Sequence, residues 1–395
     1  MTGGVTGEVT GALAIDSLLD DPQLRVVVCT GSGGVGKTTS AAAIALRAAE
    51  RGRTTVVLTI DPARRLAQSL GLAELDNTPR PVAGVDTTAG GSLAAMMLDM
   101  KRTFDEVVQA HSSPEKAQQI LANPFYQSLS SSFAGTQEYM AMEKLGQLRA
   151  QTDPATGRPR WDLIVVDTPP SRSALDFLDA PDRLGSFLDS RFLRLLSAPA
   201  KAGSRAYVRV FSAMAGGLSG VMNRILGAQV LTDVQAFVAA LDTMFGGFRQ
   251  RAEQTYTMLA GRETAFLVVA APEADAVREA AYFVERLRAE DMPLAGLVVN
   301  RVTGAGAVPL SAAEATRAAD AAVSPAREVL LVHARRMHRH DAEARVMQRL
   351  SRLYPPVPAA VIPARPIDVT DLDSLRSIAA DLAQGRPIPA APAVV

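Results

Sequence analysis

Val26-Val27-Val28-Cys29-Thr30-Gly31-Ser32-Gly33-Gly34-Val35-Gly36-Lys37-Thr38-Thr39 is the stretch on which the fold turns. An apolar, β-branched run leads into a glycine-rich turn, and a lysine with two threonines then opens the alanine-rich segment Ala41-Ala42-Ala43-Ile44-Ala45-Leu46. Gly31, Gly36, Lys37 and Thr38 fit the strand–GxxxxGK[ST]–helix pattern. Its glycines let successive backbone N–H groups converge on phosphate oxygens with no Cβ in the way. A helix beginning near Lys37 adds its unpaired N–H groups and positive dipole end to the same anion site. The pattern predicts that Lys37 reaches the β/γ-phosphates and that the Thr38 hydroxyl faces Mg²⁺. Gly31, Ser32, Gly33, Gly34, Val35, Gly36, Lys37, Thr38 and Thr39 are therefore the candidate phosphate contacts.

Two acids downstream extend the site. Thr54-Thr55-Val56-Val57-Leu58-Thr59-Ile60 reads as a second buried strand ending at Asp61-Pro62, and Trp161-Asp162-Leu163-Ile164-Val165-Val166-Asp167 reads as a central strand ending in an acid before Thr168-Pro169-Pro170. Carboxylates at the carboxyl ends of strands beside a phosphate loop lie where ligands bind in open parallel sheets. Asp61 is a candidate to orient or deprotonate an attacking water, since phosphoryl transfer asks the protein mainly for positioning and charge stabilisation; Asp167 is a candidate Mg²⁺ contact, direct or through water. A simpler role for Asp61 is to cap a helix over Ala63 to Leu70, closed by Gly71.

The whole chain sets the bounds. Its 395 residues carry 41 basic and 41 acidic side chains, so no bulk charge favours nucleic acid or an acidic membrane, and no nucleic-acid partner is expected. Cys29 is the only cysteine, which excludes intramolecular disulfides and cysteine-rich metal sites. The N-terminal segment lacks a basic region followed by an apolar one, and no apolar run approaches 18 residues. A cytoplasmic protein without direct transmembrane insertion is expected.

Regular α/β alternation carries the rest. Leu93 to Leu98 reads as a strand after a Pro-, Gly- and Thr-rich surface connection at 72–92. Strands at Thr264 to Ala270, Leu294 to Asn300 and Val357 to Pro363 alternate with helices at Glu273 to Ala289, Leu330 to Leu350 and Leu372 to Ala383. The predicted fold is a P-loop α/β domain over residues 25–385, with a mostly parallel sheet flanked by helices. It follows an extension at 1–24, carries helical insertions at about 100–150 and 173–260, and precedes a Pro/Ala-rich tail at 386–395 that is expected to be disordered. The second insertion is rich in Met, Phe and Leu, a composition that serves either as core or as a surface for variable apolar partners. His333, His338 and His340 fall on one basic helix; without a carboxylate or cysteine at ligand-like spacing, they read as a solvated face rather than a metal site.

Together, Gly31 to Thr39, Asp61-Pro62-Ala63 and Asp167-Thr168-Pro169-Pro170 resemble the phosphate loop and two switches of the arsenite-pump (ArsA) and guided-entry tail-anchored-protein ATPases. The likeness extends to bacterial ArsA-like chains that occur as pairs. It implies ATP with Mg²⁺, Asp61 as the water-activating acid, nucleotide-dependent dimers, and a helical subdomain serving a hydrophobic protein client or membrane-complex partner. Asn300 and Pro363 match positions where such enzymes contact adenine. Two departures stand out. The family's loop has a lysine after its first glycine that crosses the dimer interface to the partner's ATP; here Ser32 occupies that position, and no Lys or Arg precedes Lys37 in the loop. The metalloid-binding cysteines and the Cys-x-x-Cys zinc clasp are absent as well. The missing loop lysine suggests a hetero-oligomer with a related subunit that retains it. A ParA/MinD-like partition or positioning ATPase is the alternative, although the chain ends in a Pro/Ala-rich run rather than a basic patch or amphipathic helix. Asn300-Arg301-Val302-Thr303 lacks the Asn/Thr-Lys-x-Asp guanine reader.

Overall fold

In a computed structural model, the described residues are 11–61, 65–123, 126–127, 136–169, 250–304, 310–353 and 357–388. The chain divides into two compact units. The first comprises Met1–Leu98, Gln147–Leu175 and Thr257–Val395, and the second Asp99–Gly146 with Asp176–Tyr256. The start of the helix expected at Ala63 and most of the second insertion, including all of 173–249, lie outside the described residues.

The first unit is built on eight strands: β1 (Val26–Gly31), β2 (Thr54–Thr59), β3 (Arg80–Pro81), β4 (Ser92–Met97), β5 (Leu163–Asp167), β6 (Thr264–Ala270), β7 (Leu294–Val302) and β8 (Ala359–Pro363). Their spatial order is β3-β4-β2-β5-β1-β6-β7-β8, and every neighbouring pair except β3/β4 is parallel. Helices cover both faces of such sheets, so their strands are apolar along their whole length rather than alternating. β1, β5 and β6 accordingly bury every residue. Cys29 lies fully buried in β1 beside Asp167 of β5; burial first, and then the Asp167 charge, push its thiol pKa up.

The helix Lys37–Glu50 packs on this sheet through alanines. Ala41, Ala42, Ala43, Ala45, Ala48 and Ala49 are buried, and their short side chains allow close approach of helix to strand. Leu375, Ile378, Ala379 and Leu382 of the helix Leu372–Gln384 join the same core. The N-terminal extension is tied down. Ile15 and Leu19 of the short helix Ile15–Asp20 are buried, and Asp16 accepts two hydrogen bonds from Arg47. Residues 11–13 run beside β8, with Leu13 N–H donating to the Ala359 carbonyl and Ala359 N–H to that of Gly11, both at 2.9 Å. They cover backbone groups that β8 would otherwise present at the sheet edge.

Four expectations need correction. The connection at 72–92 contains β3, a two-residue antiparallel edge opposite Ala94 and Ala95; Pro81 and the lack of an apolar run hid it. β7 continues past Asn300 to Val302, and the basic helix extends over Ala326–Leu353. On that helix, His333 Nε2 lies 2.9 Å from the Leu310 carbonyl and His340 Nδ1 2.7 Å from that of Thr303, so these two rings hold neighbouring chain rather than facing only solvent. Among the described residues no helix is long and apolar enough to cross a membrane, and no three His, Cys, Asp or Glu side chains cluster as metal ligands.

Within the second unit, Asp99 and Ser113 cap the helices Met100–His111 and Pro114–Ala122, each side chain accepting a backbone N–H three residues on. Buried Glu143 accepts from Arg251 Nε at 3.0 Å, and Lys144 donates to Glu106 at 2.8 Å. Tyr126 is fully buried, with its hydroxyl donated to Asp105.

Candidate functional site

The site forms where β1, β5 and β2 end level with one another. Cys29 and Thr59 both lie opposite Asp167 in register, so the loops leaving these three strands share one edge. A sheet whose connections diverge there opens a crevice at the carboxyl ends of its strands.

Left-handed backbone shapes the loop after β1: φ is +150° at Gly31, +77° at Gly34 and +96° at Gly36. Close packing adds to this at two of the three. A Cβ on Gly31 would lie 2.1 Å from the Val269 carbonyl oxygen, and one on Gly36 2.1 Å from Asn300 Nδ2. Gly33 and Gly34 are exposed, and Val35 is buried. Thr38 and Thr39 stand half-buried in the first turn of the helix Lys37–Glu50.

Lys37 is buried, and its Nζ donates to the Ser32 carbonyl at 2.8 Å. Desolvation lowers its pKa, opposed by the nearby charges of Asp167 and Asp61. Asp167 is the deepest group of the site and is wholly buried. Its Oδ2 accepts from Thr38 Oγ1 at 2.8 Å and from Thr59 Oγ1 at 2.9 Å, while Oδ1 is buried without a hydrogen-bond partner. Desolvation pushes its pKa up to about 6, against the two threonine hydrogen bonds and the Lys37 charge; the Asp61 charge raises it further. Asp61 is therefore close enough to act electrostatically on both Lys37 and Asp167. Its backbone N–H donates to Thr59 Oγ1 at 3.2 Å.

The structure thus brings Ser32, Lys37, Thr38, Asp61 and Asp167 together. From β7, Asn300 Nδ2 donates to the Val35 carbonyl at 2.9 Å, and Arg301 Nη1 donates to that of Gly34 at 2.9 Å. Pro363 stands one strand further out, at the end of β8 opposite Val302. Sequence reasoning passed over Thr59, which bridges Asp61 and Asp167, and gave no role to Arg301. A threonine closing a strand two residues before an acid was the available signal for Thr59; nothing local marked Arg301.

The donor set suits Mg²⁺, a hard cation that takes few protein ligands and prefers oxygen. Thr38 and Asp167 supply a hydroxyl and a carboxylate, and the unpaired Asp167 Oδ1 is a buried acceptor with unused capacity.

Comparison with known proteins agrees with this geometry. The family model described as "Anion-transporting ATPase" matches residues 24–320. The chain is 25% identical over 311 residues to an ATPase ARSA1 of Chlamydomonas reinhardtii, covering 73% of this chain and 36% of that protein. It is 31% identical over 163 residues to an arsenical pump-driving ATPase of Acidiphilium multivorum, covering 41% and 26%, and 24% identical over 297 residues to an ATPase GET3 of Podospora anserina, covering 73% and 76%. It spans well under half the length of the first two. The match over most of its residues, on a parallel sheet with this loop, means that the chain belongs to the anion-transporting ATPase (ArsA) family.

Proposed function

We propose that this protein is a Mg²⁺- and ATP-dependent ATPase switch of the ArsA type, whose hydrolysis of ATP drives a conformational change coupled to a protein client or membrane-complex partner. The observation that carries this reading is the junction of Thr38 and Asp167. A hydroxyl lies 2.8 Å from one oxygen of a fully buried carboxylate whose other oxygen has no partner, one residue beyond the buried Lys37. An unsatisfied buried acceptor costs about 1–3 kcal/mol, a cost that a cation and polyphosphate held there offset.

In this assignment Gly31, Ser32, Gly33, Gly34, Val35, Gly36, Lys37, Thr38 and Thr39 hold the phosphates, and Asn300 and Pro363 flank the adenine. Thr38 and Asp167 hold Mg²⁺, which when bound withdraws charge from the phosphate oxygens. Asp61 orients a water toward the γ-phosphorus and takes its proton as the bond to the β–γ bridging oxygen breaks; Lys37 neutralises the charge that develops. Ser32 cannot supply a cation to a second nucleotide site, which supports a dimer with a related subunit. The apolar sequence at 173–260 suits a hydrophobic partner.

Asp61→Asn tests the assignment. The variant is expected to bind Mg·ATP within about threefold of wild type in calorimetry while turnover falls roughly a hundredfold or more, the usual scale for losing a general base. Lys37→Ala should lose binding itself. Light scattering of Asp61→Asn with ATP and the related subunit should give the mass of a pair. Unchanged turnover in Asp61→Asn would remove that residue from the role.

A further inference from the structure

We propose that Arg301 is a positioning residue for the phosphate loop, holding it in its anion-binding shape before nucleotide arrives. This rests on the loop being a nucleotide site, as argued above. A trans peptide directs its C=O and N–H to opposite sides, so a carbonyl pinned on one side fixes where the following N–H points. Three loop carbonyls are pinned. Lys37 Nζ holds that of Ser32 at 2.8 Å, Arg301 Nη1 that of Gly34 and Asn300 Nδ2 that of Val35, both at 2.9 Å. The N–H groups that follow belong to Gly33, Val35 and Gly36, and successive N–H groups held this way form an anion-binding nest.

The backbone around Arg301 is built for this reach. Arg301 has φ +62°, a left-handed conformation that a side-chain-bearing residue rarely adopts. The register of β7 against β8 shifts between Val299 and Val302, which takes Asn300 and Arg301 out of regular pairing and re-aims both side chains. Such strain persists only where the surroundings over-determine it. Here the next residues are fixed from the helix Ala326–Leu353. Buried Glu343 accepts from Thr303 N–H at 2.7 Å and from its hydroxyl at 2.9 Å, His340 Nδ1 lies 2.7 Å from the Thr303 carbonyl, and Arg336 donates to the Gly304 carbonyl at 3.1 Å. The guanidinium is exposed and has no carboxylate in salt-bridge reach among the described residues, so its partner at this site is the loop backbone.

Arg301→Gly separates positioning from structure, because glycine relieves the left-handed strain while removing the guanidinium. Its melting temperature is expected to equal or exceed that of wild type, while its affinity for Mg·ATP by calorimetry falls roughly tenfold, the scale of one charge-assisted hydrogen bond. KM for ATP should rise by the same factor with kcat within about twofold of wild type. Arg301→Lys, which keeps the charge on a shorter, non-forked donor, should recover part of the loss. Without nucleotide, amide hydrogen exchange across 31–37 should quicken in Arg301→Ala. Wild-type affinity and wild-type exchange in these variants would overturn the proposal alone; a wild-type protein that binds no nucleotide would overturn the site assignment with it.

Discussion

Asp167 is the residue whose environment most shapes the chemistry. Its pKa stands at about 6 because burial penalises the anion more than two threonine hydroxyls and Lys37 favour it. A carboxyl in an unfolded chain titrates near 3.9, so the folded, ligand-free state holds this proton more tightly than the unfolded state does. By linkage, stability should fall as pH rises from about 4 to about 6 and stay reduced above that, an effect on the order of 2–3 kcal/mol. Urea denaturation of wild type and Asp167→Asn in EDTA across this range checks it: the difference between the two should change with pH, with wild type losing ground as pH rises. A constant difference would show that Asp167 is ionised throughout. Thr38 and Thr59 both donate to one oxygen of this group and leave Oδ1 without a hydrogen-bond partner.

At the scale of elements, two glycines of one loop make a contrast that stability measurements can resolve. Gly31 closes β1 with a left-handed φ, and its missing Cβ would lie 2.1 Å from backbone oxygen of β6, whereas Gly34 has a left-handed φ with nothing within 4 Å. Gly34→Ala should cost only the conformational penalty, about 1–2 kcal/mol. Gly31→Ala must also push β1 from β6 and should cost several kcal/mol, on the order of 3–5. Equal losses in chemical denaturation would mean that the β1–β6 contact yields freely. The same elements show what was legible in sequence. β1, β5 and β6 announce themselves as nearly continuous apolar runs, and β2 and β7 through the apolar centres Val56-Val57-Leu58 and Leu297-Val298-Val299, because a parallel sheet buries both faces; the loop glycines, Lys37, Thr38 and Asp167 stand out by residue type and spacing. β3 was not legible, since two residues containing a proline carry no periodicity. Nor was Arg301, whose contact with Gly34 joins positions 267 residues apart through the order of β1, β6 and β7. Thr59 falls between, its type visible and its bridging place dependent on β2 lying beside β5.

For the molecule as a whole, the first unit protects both ends of its sheet. β3, with Pro81, closes one side, and residues 11–13 lie along β8 at the other. The pairing of β1 with β5 and β6 lies at the centre, where opening requires the sheet itself to come apart. The single cysteine therefore acts as a clock set into the middle strand. A thiol must be both exposed and ionised to react, and Cys29 meets neither condition while β1 stays paired. Where reclosing outpaces labelling, its modification by a thiol reagent should track the equilibrium population of the opened sheet, and Mg·ATP at a hundred times its Kd should slow it about a hundredfold. Rapid stoichiometric labelling of the native protein would contradict this. One buried sulfur thus reports how much of the time the central sheet stands open.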